Sequence, residues 1–222
     1  MVTIAEVVEK IIRKSPYLEE GLTKELINLS ALAREIQPEV QSLLIKDVQV
    51  GAIVMALKRL KPKLAIKTIR PRDYIKQIGD LTVKSNLVEY TFKNSRNLIS
   101  KEKELLELLS DKTDSFITIS QGVQETTIIV NKSLTEDVKR IFEGEEVILN
   151  LTNLSSITLK LPASNVEVPG VYYSILKAIA WNGINIIDAV STSNEVTIIF
   201  RNADIDKAFS ILKRITDNNG DY

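Results

Sequence analysis

The chain has 222 residues, of which 44% are hydrophobic and 26% are charged, and its formal net charge is zero. This composition is typical of an ordinary globular protein. Histidine and cysteine are both absent, which excludes Ser-His and Cys-His nucleophile pairs and the usual zinc ligands. We therefore predict that the chain is not an enzyme and holds no cofactor and no metal.

Two further features bear on location. The sequence contains no run of about 18 apolar residues, the length a membrane-spanning helix needs. Its start, "MVTIAEVVEKIIRK", carries acidic residues and lacks the small-residue cleavage site of a signal peptide. We expect a cytoplasmic protein with no membrane contact.

Charge is unevenly distributed along the chain. Residues 1–79 contain fourteen basic and nine acidic residues, a net charge of +5, whereas residues 80–222 contain fifteen and twenty, a net charge of −5. Such a split favours two parts with different partners. We place a domain boundary between residues 79 and 80.

The first segment, residues 1–79, has the apolar spacing of helices. "TIAEVVEKIIRK" predicts a helix that stops before Ser15-Pro16. "LINLSALAREI" predicts a second helix, and Pro38 is expected to open a separate short helix, "PEVQSLLI". "VQVGAIVMALKRLK" predicts the last helix of a small bundle.

Two of these helices, in "NLSALAREIQPEV" and "VQVGAIVMALKRL", resemble a helix-turn-helix module. The resemblance implies that the second helix, about residues 48–60, enters the major groove of DNA. The basic residues at its end would then contact nucleic acid: Lys58, Arg59, Lys61 and Lys63. The front of this helix offers only Gln49 for reading bases, so a scaffold or partner-docking domain is the alternative.

The rest of the chain repeats one order of elements. "NLVEYTF", "NLISKEKELLELLSD", "SFITIS", "ETTIIVN" and "LTEDVKRIF" predict strand, helix, strand, strand and helix. The same order returns in "SSITLKL", "GVYYSILKAIAWN", "INIIDAV", "EVTIIF" and "IDKAFSILKRI". A repeat of about 70 residues is a strong sign of organisation. We predict two ferredoxin-like βαββαβ domains, residues 80–153 and 154–222, with helices on one face of antiparallel sheets.

The second copy contains "VPGVYYSILKAIAWNGINI". Gly170 permits a sharp turn into the helix, and the free N–H groups at the helix start attract a carboxylate. Gly183 is placed to end the helix.

Together these features resemble an ACT domain, the small-molecule-sensing module of amino-acid metabolism. "ITISQGVQETTIIVNKSLTEDVKRIF" resembles the matching part of the aspartokinase regulatory type. The resemblance implies paired ACT units, a homodimer, and an amino acid bound where units meet. The implied ligand-binding residues are Val168, Pro169, Gly170, Val171 and Asn185 in the second copy, and Ser120, Gln121 and Glu125 in the first.

The sequence also departs from that family. The first 80 or so residues are too few for a kinase domain, and the first copy lacks the Pro-Gly turn. Only "DNNGDY" follows the last helix, so the second copy is expected to lack its closing strand or to borrow one.

The expected fold is therefore α+β, a helix-turn-helix-like bundle followed by tandem ACT domains. The expected function is amino-acid sensing, with ligand-responsive control of transcription through DNA. The alternatives are a regulatory subunit that docks on a biosynthetic enzyme through its helices, and a dimerisation scaffold with an inactive ligand site.

Overall fold

The computed structural model describes residues 2–67, 74–110, 115–163 and 167–217. The chain divides into two compact units, a helical unit of residues 1–69 and a sheet unit of residues 70–222. Within the described ranges, every helix falls short of the length or the hydropathy that a membrane span requires.

The helical unit contains α1 (Ile4–Arg13), α2 (Pro16–Thr23), α3 (Leu29–Leu44) and α4 (Val50–Lys67). Thr3 and Glu6 form a capping box at the start of α1, and the Ser15 and Asn28 side chains cap α2 and α3. Apolar residues from all four helices form one core. Mutual packing therefore stabilises helices that are too short to be stable alone.

Pro38 does not start a separate helix, contrary to the sequence prediction. It lies inside α3, which runs unbroken through it. Leu32, Ile36 and Val40 lie on one buried face before and after the proline. Their burial in the core maintains the helix although Pro38 has no N–H to donate.

In the described part of the sheet unit, six strands and four α-helices have defined bounds. They are β1 (Leu81–Lys93), α5 (Leu98–Leu109), β2 (Ile117–Gln121), β3 (Glu125–Asn131), α6 (Thr135–Ile141), β4 (Val147–Lys160), α7 (Val171–Trp181), β5 (Asp188–Ser191), β6 (Glu195–Arg201) and α8 (Ile205–Thr216). The strands form one antiparallel sheet in the order β2-β3-β1-β4-β6-β5.

Strands β1 and β4 pair with each other along most of their length and serve both repeats. Residues 87–93 of β1 pair with β3, and residues 154–160 of β4 pair with β6. Each half of the sheet therefore has the ferredoxin-like order of strands. The first half consists of β2, β3 and the adjoining parts of β1 and β4, and the second half of β5, β6 and the remaining parts.

The second half borrows its closing strand from the start of the repeat region. Residues Leu81 to Lys84 pair with Leu159 to Ser156 of β4. The boundary that we placed between residues 153 and 154 consequently falls inside a continuous strand. A local pattern of strands and helices gives no sign of such sharing, because pairing between distant strands is not encoded in periodicity.

Helices α5, α6, α7 and α8 lie on one face of the sheet. Val88, Tyr90 and Phe92 of β1 pack with apolar residues of α5 and α6. Ile157 and Leu159 of β4 pack with those of α7 and α8. The neighbouring residues of both strands, including the paired Leu87 and Leu154, point to the opposite face.

That opposite face has its own small core. It consists of the fully buried Leu87, Ile129, Leu154 and Ile199, one from each of the four inner strands. Phe116, just before edge strand β2, and Ile187, just before edge strand β5, both pack against it. We call this group the second-face cluster.

Tyr74, Ile75 and Ile78 belong to the sheet unit although we assigned residues 1–79 to the helical domain. All three are buried in the core of the second half, and the Tyr74 hydroxyl donates to the Pro162 carbonyl over 2.8 Å. The boundary between the two compact units lies between residues 69 and 70, ten residues before the boundary that we predicted. Apolar spacing does not reveal which of two cores a short segment joins.

Candidate functional site

The Pro169-Gly170 turn leads directly into α7. Gly170 has φ 90° and ψ 3°, in the left-handed region that glycine adopts without strain. Its carbonyl accepts hydrogen bonds from both the backbone N–H of Ser174, over 3.0 Å, and the Ser174 hydroxyl, over 2.9 Å. Val171 is buried and Val168 half-buried against the same core, while Pro169 is exposed. Val168 and Val171 therefore anchor the turn to the core, while Pro169 is exposed to solvent.

The start of α7 presents N–H groups that the helix itself does not use. The first intrahelical bond runs from Ser174 to Gly170, so the N–H groups of Val171, Tyr172 and Tyr173 have no acceptor within the helix. The helix dipole gives them a partial positive charge. A carboxylate is the chemical group that such a helix start binds best.

The first half has a helix start of similar position, and a protein carboxylate lies beside it. The Ser95 hydroxyl, just before α5, donates to Glu145 Oε2 over 2.6 Å, and Lys101 Nζ lies 3.2 Å from Glu145 Oε1. The hydrogen bond from Ser95, together with Lys101, holds the pKa of Glu145 below its usual value despite partial desolvation. The Glu145 side chain is only 7% exposed.

Backbone hydrogen bonds identify the residue of the second half that corresponds to Glu145. Lys93 N donates to the Glu146 carbonyl at the end of β1, and Lys160 N donates to the Asp80 carbonyl at the end of β4. Glu146 therefore corresponds to Asp80, and Glu145, one residue before Glu146, corresponds to Gly79. The second half therefore has no side chain where the first half places its own carboxylate. Sequence reasoning missed Glu145, since only the strand pairing relates it to the helix start.

The β5–β6 turn lies beside the loop that leads to Gly170. Leu161 N donates to the Asn194 carbonyl, and Thr192 N to the Glu195 carbonyl. In the first half, Asn94 N donates to Gln124 and Gly122 N to Glu125 in the same way. The repeat that the sequence predicts is therefore reproduced in its hairpin turns.

Asn185 lies at the far end of α7 from Gly170. It is exposed, between the buried Ile184 and the half-buried Ile186. The 11 residues of α7 separate the two positions by about 16 Å. The strand that we predicted over "INIIDAV" begins only at Asp188. A ligand at Gly170 therefore does not reach the Asn185 side chain of its own chain.

Ser120, Gln121 and Glu125 are exposed around the β2–β3 turn. Strand β2 forms one edge of the sheet, and β5, next to the predicted residues of the second half, forms the other. Four strands lie between them. A single chain does not bring the two groups of predicted ligand residues together.

The outer surface of α7 is unusually apolar for an exposed helix. Tyr172, Tyr173, Leu176 and Trp181 are between 38% and 72% exposed. Lys177 Nζ lies 5.7 Å from the centres of both the Tyr173 and the Trp181 rings, a cation–π geometry. At the other edge, α5 exposes Ile99 and Leu106 beside Glu102, Lys103 and Glu107 in an open groove.

Among the predicted nucleic-acid contacts, Lys58, Arg59 and Lys63 are exposed on α4. Arg59 and Lys63 are four residues apart and thus share one side of the helix. Lys61 is different, because its Nζ lies 2.7 Å from Glu25 Oε1. That hydrogen bond from Lys61 lowers the pKa of Glu25. Lys61 is therefore already neutralised within the helical unit.

No protein-family model matches the chain, and no curated protein sequence matches it. Solved structures do match. The regulatory subunit of aspartate kinase from Thermus thermophilus superposes with a TM-score of 0.50 at 15% identity, over 63% of this chain and 99% of that one.

Complete aspartate kinases match over a similar part of this chain. The enzyme from Clostridium acetobutylicum gives a TM-score of 0.53 at 14% identity, over 63% of this chain and 35% of its own. The enzyme from Synechocystis gives 0.51 at 14% identity, over 65% of this chain and 29% of its own. This chain thus spans about a third of those kinases. These likenesses confirm the expected fold of the C-terminal part, which is that of aspartate kinase regulatory domains.

Proposed function

We propose that this chain is a non-enzymatic regulatory protein that senses a free amino acid at the Val168–Val171 turn. The observation that carries the proposal is the left-handed Gly170 at the start of α7, which leaves the first N–H groups open to a ligand carboxylate. The aspartate kinase regulatory fold supports this function, since the matching Thermus protein is a regulatory subunit.

The contrast between the two halves supports the location. In the first half, Glu145 places a carboxylate beside the start of α5. In the second half the corresponding residue is Gly79, which has no side chain to fill that role. A ligand carboxylate at α7 would thus lie beside the helix start, as Glu145 lies beside the start of α5.

The ammonium group of the amino acid needs acceptors that one chain does not place near Gly170. We propose that a second copy supplies them in a homodimer. Among the described residues, no further strand pairs with the outer edges of β2 and β5, and open edges are liabilities that proteins cover. Pairing β5 of one copy with β2 of the other covers one of the two edges of each copy. It also brings the turn with Ser120, Gln121 and Glu125 to the β5 edge.

The helices beside these edges are complementary. On α7 the exposed face is apolar and carries Lys177. On α5, Ile99 and Leu106 lie beside Glu102, Lys103 and Glu107; Lys103 lies 3.6 Å from Glu107, which leaves Glu102 as the acid to complement Lys177. Contact of α7 with a second α7 would instead bring two Lys177 side chains together. Charge therefore favours α7 against α5 of the other copy.

We propose that the helical unit binds the target that the amino acid regulates. Exposure of Lys58, Arg59 and Lys63 on one helix favours contact with DNA phosphates, and hence control of transcription in the cytoplasm. Docking on a biosynthetic enzyme through the same unit is the second candidate, since α4 also exposes Met55 among these basic residues. A scaffold without ligand binding is the third.

A thermal-shift screen of the whole protein against the standard amino acids tests the main proposal. We expect one or a few amino acids to raise the Tm, because a ligand that binds only the folded state stabilises it. The corresponding amino-acid amides, which lack the carboxylate, are the matched controls and should have no effect. If no amino acid raises the Tm, the proposal of amino-acid sensing is wrong and the scaffold function remains.

A further inference from the structure

The first part of β4, residues 147–153, pairs with another strand on one side only. Its inner edge pairs with β1, whereas β6 pairs with β4 only over residues 154–160. Within the described ranges, no strand lies along the outer edge of residues 147–153. We call this stretch the open segment.

The open segment is apolar and uncharged. Its sequence is "VILNLTN", and Val147, Ile148 and Leu149 are between 42% and 51% exposed. Native proteins commonly protect an unpaired strand edge with charged side chains or proline, and the open segment contains neither. An unprotected edge of this kind is a template for pairing with another chain.

The corresponding stretch of the second half, residues 81–86 of β1, has a different surface. It also pairs on one side only, since β3 pairs with β1 from Leu87 onward. Its large exposed apolar side chain is Val83, at 44%, and it contains Lys84. A lysine on an edge strand opposes pairing with another chain. The open segment of the first half lacks this protection.

We propose that the open segment pairs with the open segment of a second copy of this chain, antiparallel and about a twofold axis. Such an interface uses the same patch on both copies, as is commonest in homo-oligomers. Two identical strands without charge bring no like charges opposite each other. The contact uses no residue of β2 or β5, so it is separate from the pairing of those edges and does not depend on ligand binding.

The side chains of the open segment select the register. Shifts in the pairing with β1 flank residues 149–151 on both sides, so Asn150 is the centre of the regular part. Leu151 packs against the second-face cluster, and Leu149 points to the same face, while Asn150 points to the helix face. A twofold axis at Asn150 places Leu149 opposite Leu151 of the other copy, and the two Asn150 side chains opposite each other. Axes at Leu149 or Leu151 would place Asn150 opposite Ile148 or Thr152 instead.

Charges at the ends of the open segment agree with this register. Arg201, the last residue of β6, pairs with Leu154, one residue beyond the segment. An axis at Asn150 brings Glu146 of the other copy level with Leu154, and thus to the end of β6 beside Arg201. Arg201 is exposed and has no ion pair with any residue that the structure describes. Glu146 binds Lys93 of its own chain over 3.0 Å, with side chains 66% and 61% exposed, so its carboxylate is accessible to a second cation.

The first test uses single introduced cysteines in the full chain, which has none of its own. We expect Asn150→Cys to form a disulfide-linked dimer with itself under mild oxidation, because directly opposed residues have Cα atoms about 4.5–5.5 Å apart. Thr152→Cys is the register control, since its two copies would lie about 13 Å apart along the strands and should give little product. No product from Asn150→Cys, or equal yields from the two variants, would overturn the proposal.

The second test measures the yield of the Asn150→Cys dimer after a further substitution. Leu149→Lys should lower the yield several-fold, because it brings two lysines close to the axis. Val83→Lys, at a side chain of similar exposure in β1, should leave the yield unchanged. Thermal unfolding checks that each variant is folded. Equal yields from the two lysine variants would count against a contact through the open segment.

The third test reverses the charges at the ends of the segment in the same Asn150→Cys background. Arg201→Glu should lower the yield several-fold, because it places two carboxylates together. Arg201→Glu combined with Glu146→Arg should restore it. If the single reversal has no effect, or the double reversal does not recover the yield, the proposed register is wrong.

Discussion

Asn86 and Asn153 occupy matching positions in the two longest strands, β1 and β4, and both have left-handed backbone, with φ 58° and 57°. Each precedes a buried leucine, and these leucines, Leu87 and Leu154, pair with each other. The strand register shifts on both sides of this pair, as at β-bulges. Both bulges lie where a strand passes from one half of the sheet to the other.

The first prediction concerns these two asparagines. Asparagine tolerates the left-handed region better than most residues, while a β-branched side chain is strained there. We expect Asn153→Val to lower the free energy of unfolding by about 1–2 kcal/mol. Asn153→Gly should leave it nearly unchanged or raise it. Urea unfolding measures both. Equal stability of the valine and glycine variants would mean that the bulge is not held in this conformation.

The second prediction concerns Gly170. An alanine at φ 90° is strained, and its Cβ lies at the start of α7, where we place the ligand carboxylate. We expect Gly170→Ala to lose the thermal shift that an amino acid produces, and to cost about 1–2 kcal/mol of stability. Isothermal titration calorimetry with the amino acid from the screen measures the loss of binding.

Gly144 provides the matched control for this variant. Its φ is 85°, nearly that of Gly170, and a Cβ there meets no atom within 4 Å. It lies between α6 and β4, away from the proposed ligand. Gly144→Ala should therefore lose similar stability but keep its ligand response. If both variants lose the response, strain alone explains the effect; if both keep it, the ligand binds elsewhere.

The third prediction concerns the dimer. The chain has no cysteine, so single introduced cysteines report on one contact each. We expect a mixture of Ala189→Cys on β5 and Ser120→Cys on β2 to form a disulfide-linked pair under mild oxidation, because paired strands bring Cα atoms within about 6 Å. Non-reducing electrophoresis detects the product.

Each variant alone is the control for that mixture. Crosslinking of Ala189→Cys with itself would show that two β5 edges meet, and the proposed pairing of β5 with β2 would then be wrong. Light scattering that shows only monomers would remove the dimer altogether, and with it the supply of acceptors from a second copy.

The fourth prediction concerns DNA. If the helical unit binds phosphates, the affinity should fall steeply as salt rises from about 50 to 200 mM, owing to counterion release. We expect Arg59→Gln with Lys63→Gln to weaken binding more than Lys61→Gln does, since Lys61 is already paired with Glu25. A mobility-shift assay measures this. No retardation of DNA by the wild-type protein at the lower salt concentration would favour docking on an enzyme.

Several elements of the fold were predictable from the sequence because their signals are local. The apolar spacing from Ile4 to Ile12 gives α1, and the alternation in "NLVEYTF" lies within β1. Pro169-Gly170 marks the start of α7, and Gly183 has the positive φ expected after its end. The prediction for Pro38 was wrong, since burial on both sides of the proline outweighed its local effect.

The candidate site was predictable only in part. The Val168–Val171 turn is continuous in sequence, and the structure forms it as one feature. Asn185 and the Ser120–Glu125 turn lie elsewhere, at the far end of a helix and at the opposite edge of the sheet. Their distance from Gly170 depends on helix length and strand order, which no short motif contains.

The sequence by itself determined the helices, most strands and the twofold repeat, because hydrophobic periodicity and turn residues act over a few positions. Only the tertiary structure decided that β1 and β4 are shared between the repeats and that Glu145 lies beside the start of α5. These relationships join residues that are about 50 to 80 positions apart in the chain, and the burial of apolar residues on both faces of the sheet selects them.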